Sequence, residues 1–568
     1  MKNDSARSRR QGGLRRAAVM AALAGAALLA ACSGSPASGP GTGAGEPTAQ
    51  RINVLTRALT LMQRDYGTYR LEAPGPEDVL DYQVGDLWKR GIDGTGTTIA
   101  VIEAWKGSPL IAKFVASRDK QLGLPNPQIK TIYPTGRHRL PATCPPSEAK
   151  LGDYGSCGAW EGEAVEDVVS AHMLAPYAKI LIVVAPPDSE ITDDTASQVA
   201  PPEFMQAVEY VSVHHLANVI SISDDQAEST YSHGPEEIRA QDPGELTAAA
   251  NGIPVLVATG DCGAAQRLAV GGGGCTPGSI TTRRATGAWD DSPWVTAVGG
   301  SVPDLSATGQ RLGPDPVWNS SLLPPPTGNA EAEGGGFSAV YTRPSYQNSV
   351  AAITRSKWRS VPDITMDASG GTSEAAPLLA GVLALVTQLN HGKNVGPIND
   401  ALYHVLGSAG LKDGIADVVS GNNTLTIHGK VFVRGFTAAR GFDVVSGWGT
   451  IRANTFALAL ARATEAAHQD AAVRADAKAA LVRLEHQEQL SRSYVGPGAT
   501  TLLTAQGFLP RHPVTLYTDG HKIVTLHADG HGSVSYLIKP SALGLRPGRH
   551  VVDLVSMLIT TTSAFRSS

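Results

Sequence analysis

Residues 160–186, WEGEAVEDVVSAHMLAPYAKILIVVAP, decide how this chain of 568 residues folds. The first half has helical spacing, and beyond Leu174, Ala175 and Pro176 comes KILIVVA, a continuous run of aliphatic residues. An unbroken apolar strand of this length is buried on both faces, as in a parallel sheet covered by helices on each side. Further runs of the same kind, TIAVIE from Thr98, NVISIS from Asn218 and PVLVATG from Pro254, alternate with helix-periodic segments such as PEFMQAVEYVSVHH at 202–215. The expected fold is a doubly wound α/β domain, which binds its ligands at the carboxyl ends of the strands. Glu103, Asp224 and Asp261 fall at or just beyond such ends.

Within the opening stretch, Glu163 and Asp167 stand four residues apart and share one helix face. Two carboxylates this close push their proton affinities apart, so one accepts a proton while the pair shares another. Glu161 and Glu166 compete for the same description.

A second stretch offers something for such a pair to act on. Residues 369–377, SGGTSEAAP, run straight into the apolar LLAGVLALVTQL. Gly370 and Gly371 permit a tight backbone, and Ser373 falls in the first turn of a helix whose apolar face is Leu378, Val382, Leu385, Val386 and Leu389. Unpaired N–H groups at a helix start favour the negative charge that develops when an acyl carbonyl is attacked. A serine hydroxyl is a weak nucleophile and needs a base within reach. A histidine-based arrangement would call on His172 in SAHMLAP, since there is no HGT segment and the first strand ends in Glu103 rather than aspartate.

With both stretches in view, the chain resembles the sedolisin family of serine-carboxyl peptidases. The nucleophile segment is similar at Gly371, Thr372, Ser373, Ala376 and Pro377; counting back from Leu174, Ala175 and Pro176 selects Glu163 and Asp167 for the family's ExxxD helix; and VLVATGDCGAA resembles its strand-end GD motif. Further similarity lies in WVTAVGGS at 294–301, GGGFS at 334–338 and PSYQ at 344–347, so the resemblance spans roughly residues 71–460. It implies a subtilisin-like fold and an endopeptidase acting on protein or peptide substrates. Ser373 would be the nucleophile, Glu163 the general base, Asp167 its tuning partner and Asp261 a protonated donor to the oxyanion, which implies activity favouring acid.

The resemblance also implies one Ca2+ site. Asp417 and Val418 in GIADVVSGNN, with Ala439, Gly441 and Asp443 in ARGFDVVSGWG, match the family's two segments, Ala439 standing where a glycine is often found. Two carboxylates with the carbonyls of Val418, Ala439 and Gly441, plus water, reach calcium's six to eight oxygens. Two departures stand out. Only about forty residues separate Cys32 from the region of resemblance, too few for the long pro-domain of most members, and the connection between VPDITMDAS and Gly371 is short, which leaves the substrate preference open.

The ends of the chain carry other signals. Residues 1–31 read as a lipoprotein signal peptide: Lys2, Arg7, Arg9, Arg10, Arg15 and Arg16 precede an apolar run ending in Leu29-Ala30-Ala31-Cys32, with Cys32 the lipidation site and a plain secretory peptide the alternative. The expected location is extracytoplasmic, anchored to a bacterial membrane by that lipid or secreted. No other segment was expected to span a bilayer. Residues 32–70 form a Gly/Ser/Pro-rich tether and a short helical segment, 71–463 the peptidase-like domain, 464–493 a helical spacer and 494–568 a small β-sandwich of Ig-like type, with turns at Asp519-Gly520 and Asp529-Gly530. Removing residues 1–31 takes away six of the 47 basic and one of the 52 acidic residues, leaving a formal charge of −10. That balance argues against nucleic acid and anionic lipid as partners. Besides Cys32 there are four cysteines, Cys144, Cys157, Cys262 and Cys275, which allow three connectivities, local pairing being the simplest. Two further readings stay in play: a catalytically silent surface lipoprotein that keeps the fold while its C-terminal module binds a cell-surface or polymer ligand, and a neutral protease using His172.

Overall fold

The computed structural model describes residues 75–465 except 105–108, 135–156, 186–200, 232–233, 270–273 and 324–329, together with four residues between 57 and 61 and most of 489–567. The signal peptide, Cys32, nearly all of the tether, Cys144 and residues 466–488 of the spacer lie outside the described residues.

The apolar runs form the strands β1 (Thr98–Glu103), β2 (Gln128–Ile132), β3 (Lys179–Val184), β4 (Val219–Ile222), β5 (Val255–Ala258) and β6 (Thr296–Ser301). A two-stranded antiparallel pair, β7 (Gly336–Thr342) and β8 (Trp358–Val361), precedes β9 (Ile364–Asp367). Seven of these build one sheet in the order β2-β3-β1-β4-β5-β6-β9, and every pairing in it is parallel. Ile99 sits between Ile180 and Val219, so β1 is an interior strand from which the chain departs to either side. Such a reversal leaves a crevice at the carboxyl ends of the strands.

The period of two along each strand divides the core. Ile99, Val101, Ile180 and Ile182 point into one layer, packed with α3 (Cys157–Leu174), α6 (Thr372–Leu389) and α7 (Ala453–Glu465). Ala100, Ile102, Leu181 and Val183 point into the other, with α4 (Pro201–Val213) and α5 (Asp242–Ala250). Two further helices are α1 (Pro76–Asp81) and α2 (Pro109–Leu122).

Helix α6 is the axis of the domain, buried continuously from Thr372 to Thr387. By length and hydropathy it could cross a bilayer, which corrects the sequence-based expectation; 89% of it is buried inside the domain, so it is a core helix. A Cβ at Gly381 would lie 2.8 Å from the Ala171 carbonyl oxygen, so glycine there lets α6 approach α3 closely. That approach brings the carboxylates of α3 to the start of α6.

Residues 489–567 form a three-stranded and a five-stranded sheet. Alternate residues of their strands, among them Leu503, Val514, Leu516, Ile538, Val552 and Leu554, are buried.

Candidate active site

Four chain segments meet at the carboxyl edge of the sheet. β1 ends in Glu103, β4 is followed by Ser223, Asp224 and Asp225, β5 is followed by Asp261, and β9 leads through a tight turn into α6 and Ser373. The turn depends on Gly371, whose φ of 112° lies in the region closed to side chains and whose position brings the backbone against the Asp261 carboxylate. Ser223, Asp224, Gly260, Asp261, Arg267 and Ser373 line a cleft there.

Pro377 shapes the first turn of α6. Having no N–H, it leaves the Ser373 carbonyl without its helical partner. The Ser223 hydroxyl takes that role at 3.2 Å. In return the Ser373 hydroxyl donates a long bond of 3.3 Å to the Ser223 carbonyl, which ties β4 to α6 at the serine itself.

Glu163 reaches this serine from α3. Burial pushes its carboxyl up to about 7, the nearby Asp224 and Asp261 add to the rise, and the Ser373 hydroxyl and the Arg267 guanidinium hold it down. One helical turn further, Asp167 is fully buried, and burial followed by the Glu163 charge pushes its carboxyl well above the usual range. Asp167 faces Glu103, whose carboxyl is likewise pushed well up by burial and by Asp167. Neither group carries a donor unless protonated, so a hydrogen bond between them requires a proton on one of the two. The line from the serine inward is thus Ser373, Glu163, Asp167, Glu103.

Asp261 occupies the opposite side. Its Oδ1 accepts from the Thr372 N–H and from the Thr372 hydroxyl, each at 2.8 Å, and its Oδ2 accepts from Arg267 at 3.3 Å. Arg267 lies 3.7 Å from Asp224 Oδ1 as well, so one cation serves two of the cleft's carboxylates. Arg267 is a residue the sequence reading missed. It had one signal, being the only charged residue between Cys262 and Cys275. Those cysteines are bonded to each other and close the loop that carries it. The other expected pair, Cys144 with Cys157, lies outside the described residues for Cys144 and for the Cys157 side chain.

Glu103 was noticed only as a strand end, and the structure adds it to the carboxylate line. Of the two competitors on α3, Glu166 also lies within electrostatic reach of Glu163 and Asp167, and burial together with those charges pushes its carboxyl up. His172 is not brought to Ser373. It is buried against α2, with Nε2 at 2.8 Å from the Pro125 carbonyl oxygen and 3.2 Å from Asp119.

The residues expected to hold calcium come together in two loops. Gly441 N–H donates to Asp417 Oδ2 at 2.8 Å, and Ala439 N–H to Asp443 Oδ2 at 2.6 Å. Asp443 Oδ1 accepts from Val445 N–H, Ser446 N–H and the Ser446 hydroxyl, which also contacts the Val418 carbonyl. Asp417 Oδ1 is buried without a partner, so the set leaves an anionic oxygen for a cation and fits calcium.

No family model matches the sequence. The chain is 28% identical to kumamolisin of Bacillus sp. (strain MN-32) over 404 residues, 66% of this chain and 62% of that protein. It is 29% identical to sedolisin of Pseudomonas sp. (strain 101) over 263 residues, 43% of this chain and 41% of that protein. The chain therefore spans less than two thirds of the length of these relatives. Among solved structures, Pseudomonas sedolisin, a serine-carboxyl proteinase complexed with two molecules of pseudo-iodotyrostatin, superposes with a TM-score of 0.53 at 24% identity, covering 68% of this chain and 97% of that one. That likeness shows the fold. These likenesses are to peptidases of the sedolisin family, the family that the sequence itself resembles.

Proposed function

We propose that this sedolisin-family chain is a serine endopeptidase that hydrolyses peptide bonds through an acyl-enzyme on Ser373. The observation that carries the reading is the meeting of Ser373, at the start of a buried helix, with Glu163, a carboxyl held up at about 7, where His172 stands elsewhere. Glu163 takes the proton as Ser373 Oγ bonds to the carbonyl carbon, and the C=O electron pair moves onto oxygen. The Ser373 N–H, in the first turn and therefore without a helical partner, donates to that oxyanion, with Asp261 as the second donor that the family resemblance implies. The C–N bond then breaks, with Glu163 returning its proton to the leaving amine, and water repeats the sequence to release the acid. Asp167 and Glu103 keep the proton on Glu163 exchangeable by sharing another behind it.

Two requirements oppose each other: Glu163 must be ionised to take the serine proton, whereas the donor role that the family resemblance implies for Asp261 is open to a carboxyl only while it holds a proton. The rate therefore follows a bell with its maximum on the acid side of neutrality. Digestion of a denatured protein by the wild type, measured from pH 3 to 9 beside Ser373→Ala, tests this. A maximum above pH 7, or digestion undiminished by Ser373→Ala, would overturn it.

A Ca2+ ion held by Asp417, Asp443 and the carbonyls of Val418, Ala439 and Gly441 would cross-link two loops by neutralising their carboxylates. The pattern at residues 1–32 supports export and lipid attachment at Cys32, with membrane contact through that anchor alone. The C-terminal sheets serve as a spacer or as a binding module for a surface ligand. Loss of the protein from the membrane fraction in Cys32→Ser checks the anchor.

A further inference from the structure

A second group of acids lies on the other side of the nucleophile's turn. Asp78 of α1, Asp367 at the end of β9 and Glu374 in the first turn of α6 are each 0–1% exposed, and one carboxylate oxygen from each lies within 4.8 Å of the other two. In all three, one oxygen is satisfied by local backbone. Asp78 Oδ2 accepts from Gly75 N–H at 2.9 Å, and Glu374 Oε2 from Gly370 N–H at 2.7 Å. Asp367 Oδ1 accepts from the Ser369 N–H at 2.9 Å and the Ser369 hydroxyl at 2.7 Å. The remaining oxygens, Asp78 Oδ1, Asp367 Oδ2 and Glu374 Oε1, are buried without any hydrogen-bond partner.

Buried carboxylates without counter-charge are among the most costly arrangements in a protein interior. The surroundings here add charge of the same sign, since Glu77, Glu166 and Asp315 act on these groups. The guanidinium of Arg311 is already paired with Asp81 and Asp315. Three neighbouring carboxyls, each with one buried oxygen that lacks a partner, offer a ligand set made only of hard oxygen.

We propose that Asp78, Asp367 and Glu374 bind a divalent cation of the calcium class, at a site separate from Asp417 and Asp443. The cation ties α1 and the end of β9 to the first turn of α6, next to Ser373. It fastens the N-terminal segment of the domain to the nucleophile's helix.

The test measures Ca2+ bound per chain by equilibrium dialysis at pH 7.5, with melting temperature in Ca2+ and in EDTA, on protein carrying Asp417→Asn to remove the other candidate site. That protein is expected to retain one Ca2+ and to melt higher in Ca2+ than in EDTA. Adding Glu374→Gln, or in a separate protein Asp78→Asn, is expected to abolish both the ion and the response. The proposal is overturned if the Asp417→Asn protein binds no Ca2+, if the ion survives both further substitutions, or if Glu374→Gln raises the melting temperature in EDTA while the Asp417→Asn protein ignores Ca2+, as a cluster held by shared protons would. The readout is binding rather than proteolysis, so it stands apart from the fate of the peptidase reading.

Discussion

Two groups of buried carboxylates flank the same serine, and they differ in what faces them. Glu163, Asp167 and Glu103 look onto two hydroxyls, Ser373 and Ser223, and the Arg267 charge reaches Glu163 from a cleft beside Ser373. Asp78, Asp367 and Glu374 look onto one another, in a space closed to water. The first group has a route by which protons arrive and leave, which suits acid–base chemistry; the second has none, which suits a fixed charge. Identical side chains thus acquire different uses from access and from the donors around them.

The sharpest way to break this contrast is at the serine. Ser373→Ala should lower kcat/KM by about 10⁶-fold. A loss of less than tenfold would place the chemistry elsewhere. Glu163→Gln should cost on the order of 10²–10⁴-fold in kcat. His172→Ala, which loses its contacts to Asp119 and the Pro125 carbonyl, should leave kcat within about twofold in the same assay, and the reverse ranking would restore a histidine mechanism.

Arg267→Ala sharpens the cleft side. Arg267 holds the Glu163 carboxyl down, so its loss should raise that carboxyl and move the acid limb of the rate profile to higher pH. The rate at the optimum should fall by less than the ~10²-fold of losing an oxyanion donor. An unmoved acid limb would remove Arg267 from the Glu163 environment.

The smallest effect concerns the fold. Burial raises the carboxyls of Glu163, Asp225 and Asp242 to about 7 each, from ordinary values of 4.5 for Glu and 3.8 for Asp. Groups whose folded value exceeds the unfolded one stabilise fully below the unfolded value, and that stability is lost as pH rises through 7. The melting temperature of the Ser373→Ala protein, followed in EDTA, should fall by about 5 °C between pH 5 and pH 8. A rising curve would mean that these carboxyls are paired in ways their surroundings do not show.

Legibility from sequence followed the range over which each signal acts. The strands of the sheet and helix α6 could be read because burial on both faces, or on one helical face, writes itself into consecutive residues. Glu163 and Asp167 were legible as a pair for the same local reason, and only the family resemblance, counted back from Pro176, set them above Glu161 and Glu166. Arg267 was not, because one arginine in a loop has no period, and its meaning depends on where the bonded Cys262 and Cys275 hold that loop. Asp78 and Glu374 carry no such signal, because an acid in a first helical turn is most often a solvated carboxylate.

By itself, the sequence determined the alternation of strand and helix, the serine at the head of an apolar helix, and the carboxylate pair four residues apart, because each is set by neighbours along the chain. Only the tertiary structure decided which acids share a proton, which of them Arg267 reaches, and which three close around a sealed space. Those relations rest on Coulomb interactions and desolvation, which depend on distance and access in three dimensions and leave no periodic trace in the chain.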